Sequence, residues 1–129
     1  MVYVSNSLSI NMLQDHSALE IKAISVEEAK KILQWELDHN RTFVSCVGHE
    51  PTAKLMSTLL GIEIPFNRIS VKLQTWDTLL VFQLLQRLPE GVVLNEDALN
   101  SIQHKWFRVE VLPEWAGDAV SSVYCRGLF

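Results

Sequence analysis

The sequence is short of the residues that build the most familiar sites. It has two cysteines, Cys46 and Cys125, with no motif spacing between them. That pattern reads as reduced thiols of a cytosolic protein, not as a disulfide framework. His16, His39 and His104 stand at no metal-ligand spacing from Cys, Asp or Glu, so no metal is expected. The chain holds 5 glycines, and Gly48 stands alone where a nucleotide-binding loop would need several. No run approaches the roughly 20 apolar residues of a membrane helix. Met1 to Leu13 is rather apolar, but it has no basic leader and is broken by Ser5, Asn6, Ser7, Ser9 and Asn11, so no signal peptide is expected. There is no basic surplus either: 11 Lys and Arg against 15 Asp and Glu give a net charge of −4. This counts against a general duplex-DNA binder. It leaves room for a small anionic ligand held by a few local charges. No acidic cluster suggests a two-metal nuclease.

What is present is a globular composition, 48% hydrophobic and 20% charged over 129 residues. One domain of this length can bury a core without disulfides or metals. Val2-Tyr3-Val4 is a short β-branched and aromatic strand. Ser5 to Asn11 follows as a strand end and loop whose polar side chains can reach a ligand or, as the plainer reading, cap a short helix. Leu19, Ile21 and Ala23 alternate with Glu20 and Lys22, which predicts a half-exposed strand over Ala18 to Ile24. Ser25-Val26-Glu27-Glu28 is a capping box. The helix it opens runs to about Asp38, burying Val26, Ala29, Leu33 and Leu37, flanked by Ile32.

Thr42 to Val47 reads as a strand ended by Gly48. Pro51 suits the first turn of a helix, Ala53, Met56, Leu59 and Leu60 recur at helical spacing, and Gly61 is its C-cap. Ile69 to Leu73 alternates as another strand, Trp76-Asp77 marks a turn, and Thr78 to Leu85 is apolar enough for a central strand covered on both faces. Arg87 to Gly91 reads as a loop, Asn95 to Ile102 as a short helix and His104 to Leu112 as a final strand. The tail, Val120 to Phe129, is apolar enough to dock or to pair as another strand. The expected fold is one α/β (α+β) domain with a mixed sheet of about five strands and helices mainly on one face.

The stretch from Val47 to Arg68 concentrates the chemistry. His49 sits on a glycine-preceded turn at the mouth of a helix. A helix N-terminus offers free amides and partial positive charge to a phosphate. An imidazolium there could protonate a leaving 5′-oxygen, help worth ~10²–10⁴ in rate. The same dipole opposes a charged imidazole, so a carboxylate or the bound phosphate has to offset it. Taken alone, His49 equally suits a surface histidine capping a helix. Arg68 and Arg87 read either as solvated loop-end arginines or as two planar forks on phosphodiester oxygens. Gln83, near the end of an apolar strand, points to solvent or needs polar partners. Cys46, on a strand beside the core, suits a buried small hydrophobe better than a nucleophile.

Together these segments resemble the viral ring nucleases, the type III anti-CRISPR proteins first catalogued as a domain of unknown function in archaeal viruses, with relatives in phages, mobile elements and some CRISPR loci. Ser5 to Leu13 resembles the family's opening motif. Val47-Gly48-His49-Glu50-Pro51-Thr52-Ala53, Leu59-Leu60-Gly61 and Pro65-Phe66-Asn67-Arg68 resemble its centre. Asp77 to Val81 with Gln83, then Arg87-Leu88-Pro89-Glu90-Gly91, resembles its last motif. The match covers roughly residues 1–112 in order, and residues 113–129 form an extension outside the pattern. A second departure is Leu84-Leu85-Gln86, where the family is richer in glycine and polar residues.

The resemblance implies a metal-independent, cofactor-free phosphodiesterase that destroys cyclic tetra-adenylate, the second messenger of type III CRISPR systems. It implies a homodimer with the ligand cleft across the interface, free in the cytoplasm, with no membrane association and no specific DNA partner. By the same carry-over His49 is the general acid, Arg87 stabilises the reacting phosphate and Glu90 supports the charged form of His49. Asn6, Ser9, Gly48, Thr52, Arg68 and Gln83 hold the ring, and its own 2′-hydroxyl is the nucleophile. Two other classes remain open from the sequence: a protein that sequesters a cyclic nucleotide without cutting it, and a nucleic-acid-binding regulator, which the acidic balance disfavours.

Overall fold

The structure, a computed structural model, describes residues 1–85 and 103–113. The expected loop at Arg87 to Gly91, the helix at Asn95 to Ile102 and the tail beyond Pro113 lie outside the described residues. Five strands form one mixed sheet: β1 (Val2–Ser5), β2 (Ala18–Ile24), β3 (Val44–Ser45), β4 (Thr78–Leu84) and β5 (His104–Leu112), in the order β2-β5-β4-β1-β3. Helix α1 (Val26–Asp38) lies between β2 and β3 in sequence, and α2 (Glu50–Leu60) between β3 and β4. Strand β1 is parallel to both of its neighbours, β3 and β4, while β5 runs antiparallel to β4 and β2. The C-terminal ends of β1, β3 and β4 therefore share one edge of the sheet.

The sheet has a core on each face, which explains the continuous apolar run of β4. Leu80 and Phe82 point to one face, where Ala29 and Leu33 of α1 and Ala53, Leu55, Met56 and Leu60 of α2 pack with Trp106. Leu79 and Val81 point to the other, beside Val109 and Val111. The two α-helices of the described residues pack on the first face. The second is closed by a 3₁₀ turn (Ile10–Met12) with its flanks and by Leu73 and Val71. Local signals place the helix ends. Ser25 caps α1 by accepting from the Glu28 amide at 3.1 Å. Gly61 ends α2 at φ 65°, the left-handed conformation a glycine adopts without a Cβ penalty.

Three expectations are corrected. Ile69 to Leu73 is not a strand. Only its second half packs on the sheet face, through Val71 and Leu73, while Ile69 is exposed, and there is no ladder: the Leu73 amide donates to the Met12 carbonyl at 2.7 Å. The Thr42 to Val47 strand is only Val44–Ser45, although Cys46 still donates to Val4 and Val47 forms a lone parallel bridge with Phe66. Leu37 is 41% exposed. It lies in the last turn of α1 and lines a surface concavity with Phe43 and Val44.

Candidate functional site at the C-terminal edge of the parallel strands

Ligands in sheets of this kind gather outside the carboxyl ends of parallel strands, where chains leave the sheet in diverging directions. Three expected site residues stand at that edge by backbone register. Asn6 follows Ser5, the last paired residue of β1, which lies opposite Val81. Gln83 sits two residues past Val81, exposed, with its amide turned onto the Leu84 carbonyl at 3.0 Å. Gly48 leaves the β3 side of the edge just after the Val47–Phe66 bridge.

His49 is the N-cap residue of α2, with φ −135° and ψ 113°, and its side chain caps no amide of the helix. Instead its Nδ1 lies 2.6 Å from the Thr52 hydroxyl, one turn on. His49 is exposed while Thr52 is only 4% exposed. Nε2 is thus the nitrogen left for an external partner. Pro51 has no amide hydrogen, so the first turn offers the Glu50 and Thr52 amides. Glu50 complements the positive helix end and forms an exposed ion pair with Lys54 at 3.6 Å, of little energetic weight.

Arg68 is brought to this turn by contacts that its sequence position alone does not show. The Asn67 amide donates to the Val47 carbonyl at 2.9 Å, and its side-chain Nδ2 donates to Ser45 at 2.8 Å. The Ser45 hydroxyl donates to the Pro65 carbonyl. This pins residues 65–68 along the outer side of β3. A Cβ on Gly48 would lie 3.3 Å from Arg68 Cγ, so the arginine stem packs directly over the glycine. Asn67 was not among the expected site residues. Its place beside Arg68 in the motif was the available signal, but the clamp itself depends on which strand it meets.

Other expected members are less connected. Ser9 caps the 3₁₀ turn, accepting from the Asn11 amide at 3.3 Å, which is the plainer of its two readings. Arg87 and Glu90 lie outside the described residues. Cys46 is buried, its thiol donates to the Val4 carbonyl at 3.3 Å, and burial holds it above the usual thiol range, against a smaller opposing effect of the Ser5 hydroxyl. That environment keeps the sulfur protonated and suits packing, not attack. Among the described residues no group of three or more His, Cys, Asp or Glu is placed to hold a metal ion.

Two concave surfaces of the described residues lie apart from this chemistry. One of about 510 Å³ is lined by Leu37, Phe43, Val44 and Asn67, among others. Another of about 680 Å³ runs along α2 past Lys54, Thr58 and Phe66. Neither includes His49 or Arg68. The site is identified by its chemistry: an imidazole at the N-terminus of α2, with the stem of Arg68 packed over the preceding Gly48.

A profile described as STIV B116-like matches residues 2–106. Protein ORF117 of Acidianus two-tailed virus is 40% identical over 93 residues, covering 72% of this chain and 77% of its own. Protein 26 of Sulfolobus islandicus filamentous virus (isolate Iceland/Hveragerdi) is 35% identical over 114 residues, covering 87% and 92%. Protein YddF of Bacillus subtilis (strain 168) is 30% identical over 84 residues, covering 65% and 75%. Among solved structures, B116 of Sulfolobus turreted icosahedral virus is similar with a TM-score of 0.76 at 29% identity, over 84% of this chain and 97% of that one.

Proposed function

The chain belongs to the STIV B116-like family, and from that membership and the His49 turn we propose that it is a metal-independent ring nuclease that cuts cyclic tetra-adenylate into linear di-adenylates. The observation that carries the proposal is the arrangement at the parallel-strand edge. His49 is the N-cap residue of α2 and holds Nδ1 on Thr52, which leaves Nε2 for a ligand, and the stem of Arg68 lies over Gly48 on the same turn. These are the groups a phosphodiester needs: donors for its oxygens and a proton for its leaving group. The choice of cyclic tetra-adenylate rests on the sequence resemblance to the viral ring nucleases.

In this reading the ring supplies its own nucleophile. A 2′-oxygen attacks the adjacent phosphorus, the new 2′-O–P bond forms and the P–O5′ bond breaks. The 5′-oxygen takes the proton from His49 Nε2, and the 2′-hydroxyl's proton passes to water, which restores the imidazolium. The product carries a 2′,3′-cyclic phosphate. Arg87 stabilises the reacting phosphate and Glu90 supports the charged imidazole. Asn6, Ser9, Arg68 and Gln83 hold the ring. A homodimer fits this role, since a two-fold ring can meet two copies of one open edge, and each copy then cuts an opposite linkage. In a host this activity would act as an anti-CRISPR or a tuner of the defence.

The test is incubation with labelled cyclic tetra-adenylate in EDTA, with products separated by chromatography. Linear di-adenylates are expected. His49→Ala should cut turnover far more than binding, because a general acid acts mainly in the transition state. Tight binding without cleavage would replace the enzyme by a sequestering protein, and neither binding nor cleavage would end the proposal.

A further inference from the structure

We propose that Thr52 is a positioning residue for His49, holding the ring so that Nε2, and not Nδ1, faces the ligand edge. This rests on the ring-nuclease reading for its catalytic consequence, but not for its geometry. It differs from the expectation that Thr52 contacts the ring of adenylates: the partner its hydroxyl meets is His49 Nδ1, at 2.6 Å.

The argument begins with freedom. His49 is exposed and stands ahead of its helix, and its side chain makes no capping bond to a helix amide. Among the described residues the Thr52 hydroxyl is the side-chain hydrogen-bond partner given to the ring. Thr52 is itself fixed. It is the third residue of α2, is 4% exposed, and its β-branched side chain has few rotamers within a helix. The stiff residue therefore anchors the mobile one.

A hydroxyl is also a suitable chemical partner for a proton donor. It can donate to a bare Nδ1 or accept from a protonated one. In the imidazolium both nitrogens carry protons, and loss of the Nε2 proton leaves Nδ1 protonated, so Nδ1–H can donate to the hydroxyl before and after the transfer without adding a charge to the site. The charged groups on the same turn are differently engaged, with Glu50 facing Lys54 and Arg68 lying by its stem over Gly48.

Two measurements on the full-length protein test this. In the substrate-free protein, ¹³C relaxation of the His49 ring should report an ordered side chain in the wild type and in Thr52→Ser. Thr52→Val, which keeps the shape but removes the hydroxyl, should release the ring. A ring equally ordered in Thr52→Val overturns the proposal. In steady-state cleavage of labelled cyclic tetra-adenylate, Thr52→Val should lower kcat by about 10- to 100-fold with KM little changed, since misplacement of a reacting group by ~1 Å costs up to that factor. Thr52→Ser should recover most of the rate. A raised KM at unchanged kcat would make Thr52 a ligand contact and refute the positioning role. Absence of turnover in the wild type would defeat the ring-nuclease reading alone, and the relaxation measurement would still decide the role of Thr52.

Discussion

Replacing Gly48 by alanine isolates the contact that brings Arg68 to the His49 turn. The new Cβ would stand 3.3 Å from Arg68 Cγ, 3.7 Å from its Cβ and 3.8 Å from its Cδ. Carbon atoms prefer about 3.5–4.0 Å, so Cγ has to retreat by about 0.2–0.7 Å. Gly48 is not in the left-handed region, where only Gly61 among the described glycines is found. Backbone strain is therefore no part of the effect, and the stability change should stay within about 0.5 kcal/mol. Affinity should respond more. A hydrogen bond to a charged group contributes about 1.5–3 kcal/mol, so Arg68→Ala should weaken binding of cyclic tetra-adenylate by about 10- to 100-fold. Gly48→Ala displaces the guanidinium by a fraction of an ångström and should cost about 3- to 10-fold. The decisive comparison is the double variant. If Gly48 acts through Arg68, Gly48→Ala should add nothing in the Arg68→Ala background. Calorimetric titration of the four proteins, with thermal melts beside it, reads both quantities. The same loss in both backgrounds, or no loss in either, refutes the packing argument.

Two predictions concern the scaffold. Leu33 of α1 is fully buried in the core shared by both helices, so Leu33→Ala should lower the unfolding free energy by about 2–5 kcal/mol in urea titrations. Burial holds the Cys46 thiol above its ordinary value of 9.0. Burial, with Asp77 and Cys46 adding to it, likewise holds the Tyr3 hydroxyl above 10.0. The folded state keeps these protons where the unfolded chain loses them. Their contribution to stability is then fully present below pH 9.0 and declines as pH rises through the folded-state values. Urea midpoints measured from neutral to strongly alkaline pH should fall at the alkaline end, and less so in Cys46→Ala. A flat profile would contradict the burial assigned to the pair.

Most of the helical framework was legible because its signals are local. The Ser25 box and Gly61 each act within a few residues of where they stand, and the helices begin and end there; β2 forms over the expected Ala18–Ile24, although its burial does not alternate and Ile21 is exposed. Ile69 to Leu73 misled for a related reason. Period-two burial arises whenever an extended chain lies on an apolar surface, and only the hydrogen-bond partner distinguishes a strand from a covering segment. Here the partner of Leu73 is the Met12 carbonyl, not a neighbouring strand.

The site divides along the same line. By itself the sequence determined that His49 would open a helix, that Gly48 would precede it and that no cysteine or histidine spacing offered a rival centre, because turn chemistry and ligand spacing are written in adjacent residues. Tertiary structure alone decided that β1, β3 and β4 end at one edge. It decided that Asn67 would clamp Arg68 over Gly48, and that the Thr52 hydroxyl would face Nδ1. Those facts depend on the register between strands and on side-chain direction. The energies that set both come from residues far apart in the chain, and no local pattern reports them.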